Sequence, residues 1–323
     1  MLKPKPSDNP NTPNILHGAF GIKGSVLLEL VDPDGNIVES KIFNNINDNL
    51  RSAVASVLAA QATNTPQYIA VGTGARTNQL YATSNVDAAA VLGVAGQDML
   101  AQETIDSGAA GRTAYILLWM KRLGTSAGSL SVEIQTNAAG LPSNTALTNG
   151  ISSTVPINGL GLTYDWVKFD FTTPPTLTIN TVYHVVLKSS GYVYSAGVTE
   201  VSWGVDTTSP TYAGGDFEKA TGTTWSAYSP AADGAFRMVT QTDSLYTTIN
   251  GELSRKLISS RSKQSTTIAR LLASFPAGTA TDYIGHVGLF DLVSAGTLFA
   301  IGTTRLNKLA NQTLNVYWLL EVL

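Results

Sequence analysis

Residues 166–188 read WVKFDFTTPPTLTINTVYHVVLK and decide the fold class of the middle of the chain. The runs 166–171 and 182–188 are rich in β-branched and aromatic residues, and prolines and an asparagine lie between them, so they predict two strands joined by a turn. Further runs of this kind cover 115–120, 129–135, 201–205 and 235–239. Because few helical patterns interrupt them, residues 97–241 predict an antiparallel β-sandwich.

The aromatic residues of 166–171 do not alternate strictly. Trp166, Phe169 and Phe171 would all face the core only if the strand departed from its period of two residues. We therefore expect either a β-bulge near Lys168 or burial on both faces of the strand, with Trp166 in the core.

The first part of the chain predicts a hairpin and a helix. Residues 26–31 and 36–43 are strand-like and flank Asp32-Pro33-Asp34-Gly35, which is a sequence typical of a tight turn. Residues 48–62 predict an amphipathic helix, because apolar residues recur at helical spacing. These residues are Leu50, Val54, Val57 and Leu58. The run 67–71 predicts a buried strand.

The last part of the chain again predicts strands. The runs cover 267–275, 283–290, 298–303 and 314–322. The final run is strongly β-prone and would promote aggregation if unpaired, so we expect a central strand or a subunit interface there. Residues 79–96 and 240–248 are interpreted as linkers. The proline-rich residues 1–14 predict an extended arm, either frayed or docked on a neighbouring subunit.

The composition argues against several classes of protein. The 323 residues include 20 Lys and Arg, 23 Asp and Glu, and no Cys, and only 13% are charged. A basic face for nucleic acid is not expected from such a balance. No apolar run is long enough to span a bilayer, and the N-terminus lacks the apolar core of a signal peptide. We therefore expect folding in a cytoplasm, without disulfides or thiolate metal sites.

Motifs for catalysis or cofactor binding are not found in the sequence. His17, His184 and His286 lack metal-ligand spacing, and the last two are interpreted as structural. The carboxylates that could serve a glycosidase are Asp165, Asp170, Asp206, Asp216 and Asp233. Loop solvation is the favoured interpretation of all five. Asp206, Asp216 and Asp233 could alternatively hold a structural Ca²⁺, because this ion prefers oxygen ligands from loops. We expect no catalytic residue and no cofactor.

Aromatic residues near Gly- and Thr-rich loops are the candidate glycan contacts, because flat rings pack against the apolar faces of sugars. The alternative is that they pin the loops as buried packing residues, and Trp318 is interpreted as core in that way. The candidates are Trp203, Tyr212, Trp225 and Tyr228, followed by Tyr192 and Tyr194, which alternate and face one side.

Two parts of the sequence resemble known families. Residues 15–78 and 245–323 resemble a domain of bacteriophage tail and virion structural proteins, on three groups of residues. These are 66–74 (PQYIAVGTG), Glu252 with Arg255, and the ordered runs 284–291 (IGHVGLFD), 296–300 (GTLFA) and 314–318 (LNVYW). One departure is His286, where the family usually carries Glu.

Residues 97–241 resemble a second family, the carbohydrate-binding-like β-sandwich modules of jelly-roll type. The matching residues are 130–134 (LSVEI), 140–143 (GLPS), 166–171, Leu177, 183–187, 212–215 (YAGG), Trp225 and 236–237 (FR). The two resemblances together imply a sandwich inserted into a surface loop of a split domain, since loops accept such insertions without disturbing the core.

The sequence therefore predicts a mainly β protein: a split α+β virion-assembly domain with an inserted antiparallel β-sandwich of jelly-roll type. The resemblance implies a non-enzymatic tail-fibre, collar or baseplate protein, located in the virion, whose sandwich attaches to the host surface. The alternatives are a capsid decoration or head-fibre protein with a passive knob, and a polysaccharide-degrading enzyme. The partners it implies are other virion proteins, identical copies (a trimer by analogy) and a host-surface glycan. Nucleic acid and membrane insertion are not expected.

Overall fold

A computed structural model of the chain describes residues 22–43, 46–47, 65–75, 85–106, 111–210, 212, 215–240, 249–265 and 268–322. Of the described residues, 62% are in strands and 2% in helix, so the prediction of a mainly β protein is confirmed. The predicted helix at 48–62 and the predicted arm at 1–14 lie outside the described residues.

The described residues form the following strands. The first four are β1 (Ile22–Val31), β2 (Ile37–Phe43), β3 (Ile46–Asn47) and β4 (Tyr68–Gly72). The middle of the chain forms β5 (Ala88–Val91), β6 (Met99–Asp106), β7 (Gly111–Leu123), β8 (Ser129–Ala138), β9 (Leu141–Ile151), β10 (Val155–Pro156), β11 (Asp165–Asp170), β12 (Thr176–Leu177), β13 (Thr181–Ser190), β14 (Glu200–Asp206), β15 (Phe217–Thr221), β16 (Thr224–Ala227), β17 (Asp233–Gly234) and β18 (Phe236–Thr240), with one 3-10 turn at Ile157–Gly159. The last strands are β19 (Glu252–Leu257), β20 (Ser260–Lys263), β21 (Ile268–Phe275), β22 (Asp282–Phe290), β23 (Leu298–Lys308) and β24 (Thr313–Val322).

Strands from both ends of the chain form two five-stranded sheets, here called the terminal sandwich. Sheet A has the order β2-β1-β24-β21-β20, and sheet B has the order β19-β4-β22-β23-β3. One cluster of buried apolar side chains joins the two sheets, with Leu28 and Trp318 from sheet A and Val71 and Val287 from sheet B. Both sheets therefore need the first and the last strands of the chain to complete their shared core.

Residues 85–240 form a second pair of sheets, here called the central sandwich. Sheet C has the order β11-β7-β14-β17, with β12 and β18 also on β7 and β5 on β14. Sheet D has the order β10-β8-β13-β6-β15-β16, with β9 on β8. The shared core contains Leu118 and Trp203 from sheet C and Val185 and Phe217 from sheet D. The chain passes between the two sheets several times, for example from β6 in sheet D to β7 in sheet C and on to β8 in sheet D.

Several local predictions are confirmed. The predicted hairpin is β1 paired antiparallel with β2, and its turn is closed by Asp32, whose backbone N–H donates to Asn36 O at 2.9 Å. Gly35 in this turn has φ of 90°, a value that glycine adopts without steric cost. The final run of the chain is a central strand, because β24 lies between β1 and β21.

One local prediction is wrong. Residues 85–96 are not a linker: β5 pairs with β14, and Ala90 and Leu92 are buried in the core of the central sandwich. Of the two alternatives for 166–171, the bulge near Lys168 is absent, because β11 pairs with β7 in unbroken register; instead Phe169 is buried on one face and Trp166 packs against a buried cluster on the other. Trp166 and Lys168 consequently share the outer face of sheet C, while Phe169 points into the core.

The two sandwiches contact each other through the outer face of sheet C. Tyr115 of β7 donates its phenol O–H to Thr304 O at 2.8 Å, and its ring meets Tyr283 edge-on at 6.1 Å between centroids. Arg237 of β18 binds both carboxylate oxygens of Asp282 in β22, at 2.6 and 2.9 Å. These contacts cover one end of the outer face of sheet C with the terminal sandwich.

Candidate functional site

The prediction that Trp203 contacts a glycan is wrong, because its side chain is fully buried. Its indole N–H donates to Ala235 O at 2.9 Å, and its ring meets Phe217 edge-on at 5.0 Å. The residue alternates with outward-facing Ser202 and Gly204 on β14, so the strand period places it in the core. Trp203 is therefore a buried packing residue, as the alternative interpretation of the candidate aromatic residues predicts.

Trp225 is also a packing residue, with only 8% of its surface exposed. Its ring lies in a small cluster with Ala101 and Val186 on the outer face of sheet D. The indole N–H donates to Asn144 Oδ1 at 2.8 Å, and Asn144 Nδ2 donates to Thr223 O at 2.9 Å. Trp225 therefore fastens the β8–β9 hairpin over sheet D, and its ring face is not available to a sugar.

The four predicted tyrosines are partly buried and lie at loop bases. Tyr212 meets Phe236 edge-on at 5.5 Å and shares a hydrogen bond with the Thr104 hydroxyl. Tyr228 meets Phe217 edge-on at 5.2 Å. Both rings pack against the core of the central sandwich, which limits the surface they offer.

Tyr192 and Tyr194 follow the end of β13, outside any strand, and both are partly exposed. The Tyr192 phenol accepts the Val201 N–H at 3.1 Å and donates to Thr199 O at 3.3 Å. A Cβ on Gly93 would come within 2.9 Å of Tyr194, so that glycine gives these rings their space. Tyr192 thus closes a loop with its polar end.

The three candidate calcium ligands hold a loop instead of forming a metal centre. Asp206 Oδ1 accepts the N–H groups of Thr208 and Ser209 at 3.1 and 3.0 Å, and Asp233 Oδ2 accepts the Tyr212 N–H at 2.8 Å. Within the described part of the chain, no group of three or more His, Asp or Glu side chains is arranged to hold a metal ion. Asp216 therefore does not complete a calcium site with the other two.

The pKa of Asp233 is raised to about 6, mainly by burial and to a smaller extent by the nearby carboxylates Asp206 and Asp216, while the hydrogen bond from the Tyr212 N–H acts in the opposite direction.

The remaining candidate carboxylates serve the contact between the sandwiches. Asp170 forms ion pairs with Lys168 at 2.5 Å and with Arg305 at 2.9 Å. Asp165 Oδ1 accepts the Trp166 N–H at 2.7 Å and lies 3.4 Å from Asn307 Nδ2. Both therefore have structural partners of their own.

The structure reveals a different aromatic surface on the outer face of sheet C. We call Trp119, Tyr164 and Trp166 the aromatic strip. Trp119 and Trp166 are directly opposite each other on β7 and β11, with ring centroids 5.2 Å apart at 63°. Trp119 and Tyr164 are stacked, with centroids 6.3 Å apart and planes only 9° from parallel. All three side chains are partly exposed, and the Trp119 ring adjoins the other two.

The strand register builds this strip. Tyr115, Leu117 and Trp119 alternate along the outer face of β7, and the first two are buried against the terminal sandwich. Trp119 lies beyond that cover. Gly204 on neighbouring β14 leaves room for the rings, because a Cβ there would lie 2.9 Å from Trp119 and 3.3 Å from Tyr164.

Two cations border the strip. Lys121 Nζ lies 4.6 Å from the centroid of the Tyr164 ring, and the Arg237 guanidinium lies 4.3 Å from the centroid of Trp166. Burial raises the pKa of Tyr164 to about 12, so its phenol is neutral at physiological pH. Because Arg237 is paired with Asp282, the aromatic surface has an unpaired positive charge only at its Lys121 border among the described ion pairs, which suits a ligand with flat apolar faces and polar edges.

Sequence reasoning placed Trp166 in the core and did not consider Trp119. A signal was nevertheless present: Trp119 and Lys121 lie two residues apart in a run whose intervening residue, Met120, is apolar. The partner strand and its register are needed to bring Trp119, Tyr164 and Trp166 together, and those are long-range properties.

A pair of buried polar side chains lies on the outer face of sheet D. His184, predicted as structural, is fully buried, and its Nδ1 lies 3.2 Å from Glu218 Oε1. Its Nε2 lies 3.1 Å from Asn137 Oδ1. Burial lowers the pKa of His184 to about 4 and raises that of Glu218 to about 9. Both hydrogen-bond positions of the imidazole are filled, so the pair stabilises the sheet under the β8–β9 hairpin.

Comparisons of this chain with known protein families, with curated proteins and with solved structures found no match. Among the helices of the described ranges, none has the length and apolar character needed to cross a membrane.

Proposed function

We propose that the protein is a non-enzymatic structural protein of a bacteriophage particle, in which the terminal sandwich assembles with other subunits and the central sandwich binds a host-surface glycan. The glycan part of this proposal depends on one observation, the aromatic strip of Trp119, Tyr164 and Trp166. The phage part rests on the resemblance of residues 15–78 and 245–323 to virion structural proteins.

The geometry of the strip supports glycan binding for a physical reason. Sugar rings have apolar faces formed by C–H groups, and these faces pack favourably on aromatic rings while the hydroxyls remain solvated. The strip rings are held by adjacent strands and by Gly204 below them. Because the rings are already ordered, binding would lose little conformational entropy at the site.

The edge of sheet A supports assembly with other subunits. Among the described residues β2 pairs only with β1, and its side chains Ile37, Val38 and Ile42 are 57%, 52% and 63% exposed. An exposed apolar edge strand favours pairing with another chain, and natural proteins usually protect such edges. A neighbouring subunit would protect this one, in agreement with the expected homo-oligomer.

The glycan proposal is tested by binding of the full chain to a glycan array and to host cells. Trp119→Ala and Tyr164→Ala should each weaken binding at least about tenfold, because each removes a stacking surface. Tyr317→Ala is the matched control, since Tyr317 is a partly exposed tyrosine on the outer face of sheet A. Near-ultraviolet circular dichroism would establish that each variant is folded. Unchanged binding by both folded strip variants would reject the strip as the site.

The particle proposal is tested by electron microscopy of intact particles labelled with an antibody fragment against the central sandwich. Label at the tail tip or collar supports host attachment. Label over the capsid lattice supports a decoration protein instead, and no label on purified particles contradicts the virion assignment.

A further inference from the structure

One of the two cations that border the strip is Lys121. It follows Trp119 by two residues on β7, so both side chains leave the same face of the strand. Its ammonium nitrogen is 4.6 Å from the centroid of the Tyr164 ring, within the range of a cation–π interaction. This contact holds the positive charge at the edge of the strip and restricts the freedom of a side chain that would otherwise move in solvent.

The Lys121 ammonium differs from three other basic groups of the central sandwich, which have ion-pair partners. Lys168 pairs with Asp170, Lys188 pairs with Glu133 at 2.8 Å, and Arg237 pairs with Asp282. Across the described ranges, the ion pairs include no carboxylate within 4.0 Å of Lys121. Among the described residues, the charge of Lys121 is therefore not neutralised by an ion pair.

The carboxylate next to the strip in sequence has other partners. Asp165 accepts a hydrogen bond from the Trp166 N–H, and its oxygen faces Asn307 of the terminal sandwich. Asp87, which follows Val86 beneath the strip, accepts the backbone N–H groups of Thr207 and Thr208 at 2.8 and 2.9 Å. Neither carboxylate competes with an external anion for Lys121.

We propose that the glycan bound by the strip is anionic, and that Lys121 binds its negatively charged group while the sugar faces rest on Trp119 and Tyr164. This inference rests on the proposed glycan-binding function. A charge-assisted hydrogen bond from an ammonium is stronger than a neutral one, and the neighbouring apolar rings reduce its screening by water. The compact ammonium suits either a sugar carboxylate, as in uronic acids, or a phosphate of a sugar-phosphate polymer.

The test uses a glycan array of acidic glycans together with their neutral methyl-ester counterparts, and a poly(glycerol phosphate) oligomer. The wild-type chain should bind the acidic member of a pair about tenfold more tightly at low salt, and added salt should reduce the preference. Lys121→Gln should remove the preference, whereas Lys121→Arg should retain most of it. Lys219→Gln is the matched control, because Lys219 also lies over a tyrosine ring, 5.5 Å from the centroid of Tyr228 in sheet D.

The possible results separate this inference from the proposed function. Equal binding of acidic and neutral glycans, or a preference that survives Lys121→Gln, would overturn the anionic ligand while the strip remained a glycan site. Absence of any binding that depends on Trp119 would overturn the proposed function and this inference with it. If acidic galacturonides bind more tightly than the poly(glycerol phosphate) oligomer, the group bound by Lys121 is a carboxylate. If the oligomer binds more tightly, the group is a phosphate. Both results support an anionic ligand.

Discussion

The proton of the buried His184 can be located from its neighbours. Asn137 Oδ1 accepts the Gly140 N–H at 2.9 Å, which identifies that atom as the carbonyl oxygen of the amide. His184 Nε2 faces the same oxygen at 3.1 Å and must therefore carry a hydrogen. If the imidazole is neutral, its Nδ1 is an acceptor, and Glu218 must donate to it as the protonated acid. The lowered pKa of His184 and the raised pKa of Glu218 agree with this arrangement.

Glu218→Gln tests this protonation state. The folded chain holds the Glu218 proton up to about pH 9, whereas an unfolded chain releases it near pH 4.5. The stability that the protonated Glu218 contributes to the wild type is therefore fully present below pH 4.5 and is lost as the pH rises towards 9. Glutamine can donate to Nδ1 at every pH and lacks this loss. We expect the free energy of unfolding of the variant, taken relative to that of the wild type, to be more than about 1 kcal/mol higher at pH 8.5 than at pH 5. Urea unfolding at both pH values measures the change.

A different outcome would identify an ion pair at His184. If the imidazole is charged and Glu218 ionised, Glu218→Gln removes the counter-charge and destabilises the chain at neutral pH without any relative gain at high pH. Glu133→Gln is a suitable control, because Glu133 pairs with Lys188 on the same sheet and is more accessible to solvent.

Trp225→Phe tests whether this residue is structural. The change keeps an aromatic ring but removes the N–H that donates to Asn144, so we expect a loss of about 1–2 kcal/mol in the free energy of unfolding. Glycan binding should not change. Asn144→Gly removes the acceptor and tolerates the positive φ of 59° at that position. Losses that add fully in the double variant would contradict a direct bond between the two side chains.

At the scale of single elements, strand β7 has two different functions along one face. Its first outward residues pack against the terminal sandwich, and the next ones form the aromatic strip and carry Lys121. A strand can do this because every second residue points outward at a spacing of roughly 7 Å. The same strand, β7, therefore connects the strip directly to the contact with the terminal sandwich.

Gly204→Ala tests how the neighbouring strand β14 supports the strip. The added Cβ would lie 2.9 Å from Trp119 and 3.0 Å from Val86, so the Trp119 ring has to move outward. We expect weaker glycan binding by about tenfold or more, with a smaller effect on stability, because the ring is at the surface. Gly222→Ala is unsuitable as a control, since its φ is 59°; Gly159→Ala, where nothing lies within 4 Å of the added Cβ, is suitable. Unchanged binding by Gly204→Ala would show that the strip tolerates displacement.

At the scale of the whole molecule, the ion pair of Arg237 with Asp282 links the two sandwiches, as does that of Arg305 with Asp170, and the first of these also reaches the strip. The Arg237 guanidinium binds Asp282 with two hydrogen bonds and lies over the Trp166 ring. Its side chain is only 6% exposed, against 21% for Asp282. Breaking such a pair on one side leaves a buried charge without its partner, which is more costly than removing both charges.

Asp282→Asn should therefore lower the free energy of unfolding by about 2–4 kcal/mol and separate the unfolding of the two sandwiches. Differential scanning calorimetry would detect this as two transitions in place of one cooperative transition. The double variant with Arg237→Gln should recover part of the loss. Glu39→Gln is the control, because Glu39 pairs with Lys41 on an exposed surface. A single unshifted transition in Asp282→Asn would contradict the coupling.

The amino-acid sequence alone determined which segments are strands, because alternation and turn residues are local. The hairpin at Asp32–Gly35, the central position of the final strand and the packing of His184 and Trp318 all follow from local patterns and burial. The prediction of a linker at 79–96 is wrong for residues 85–96. The four residues Ala88–Val91 give little signal of a strand in the sequence and form a strand only by pairing with β14.

Only the tertiary structure decided which aromatic residues are at the surface. Trp203 and Trp225 lie near Gly- and Thr-rich segments in sequence, yet tertiary packing buries them, whereas Trp166 was interpreted as core and is partly exposed on the outer face of sheet C. Strand register places Trp119 opposite Trp166, with Tyr164 just before β11, and the extent of the contact between the sandwiches determines where the covered surface ends. Register and cover depend on residues distant in the chain, so no local pattern could determine them.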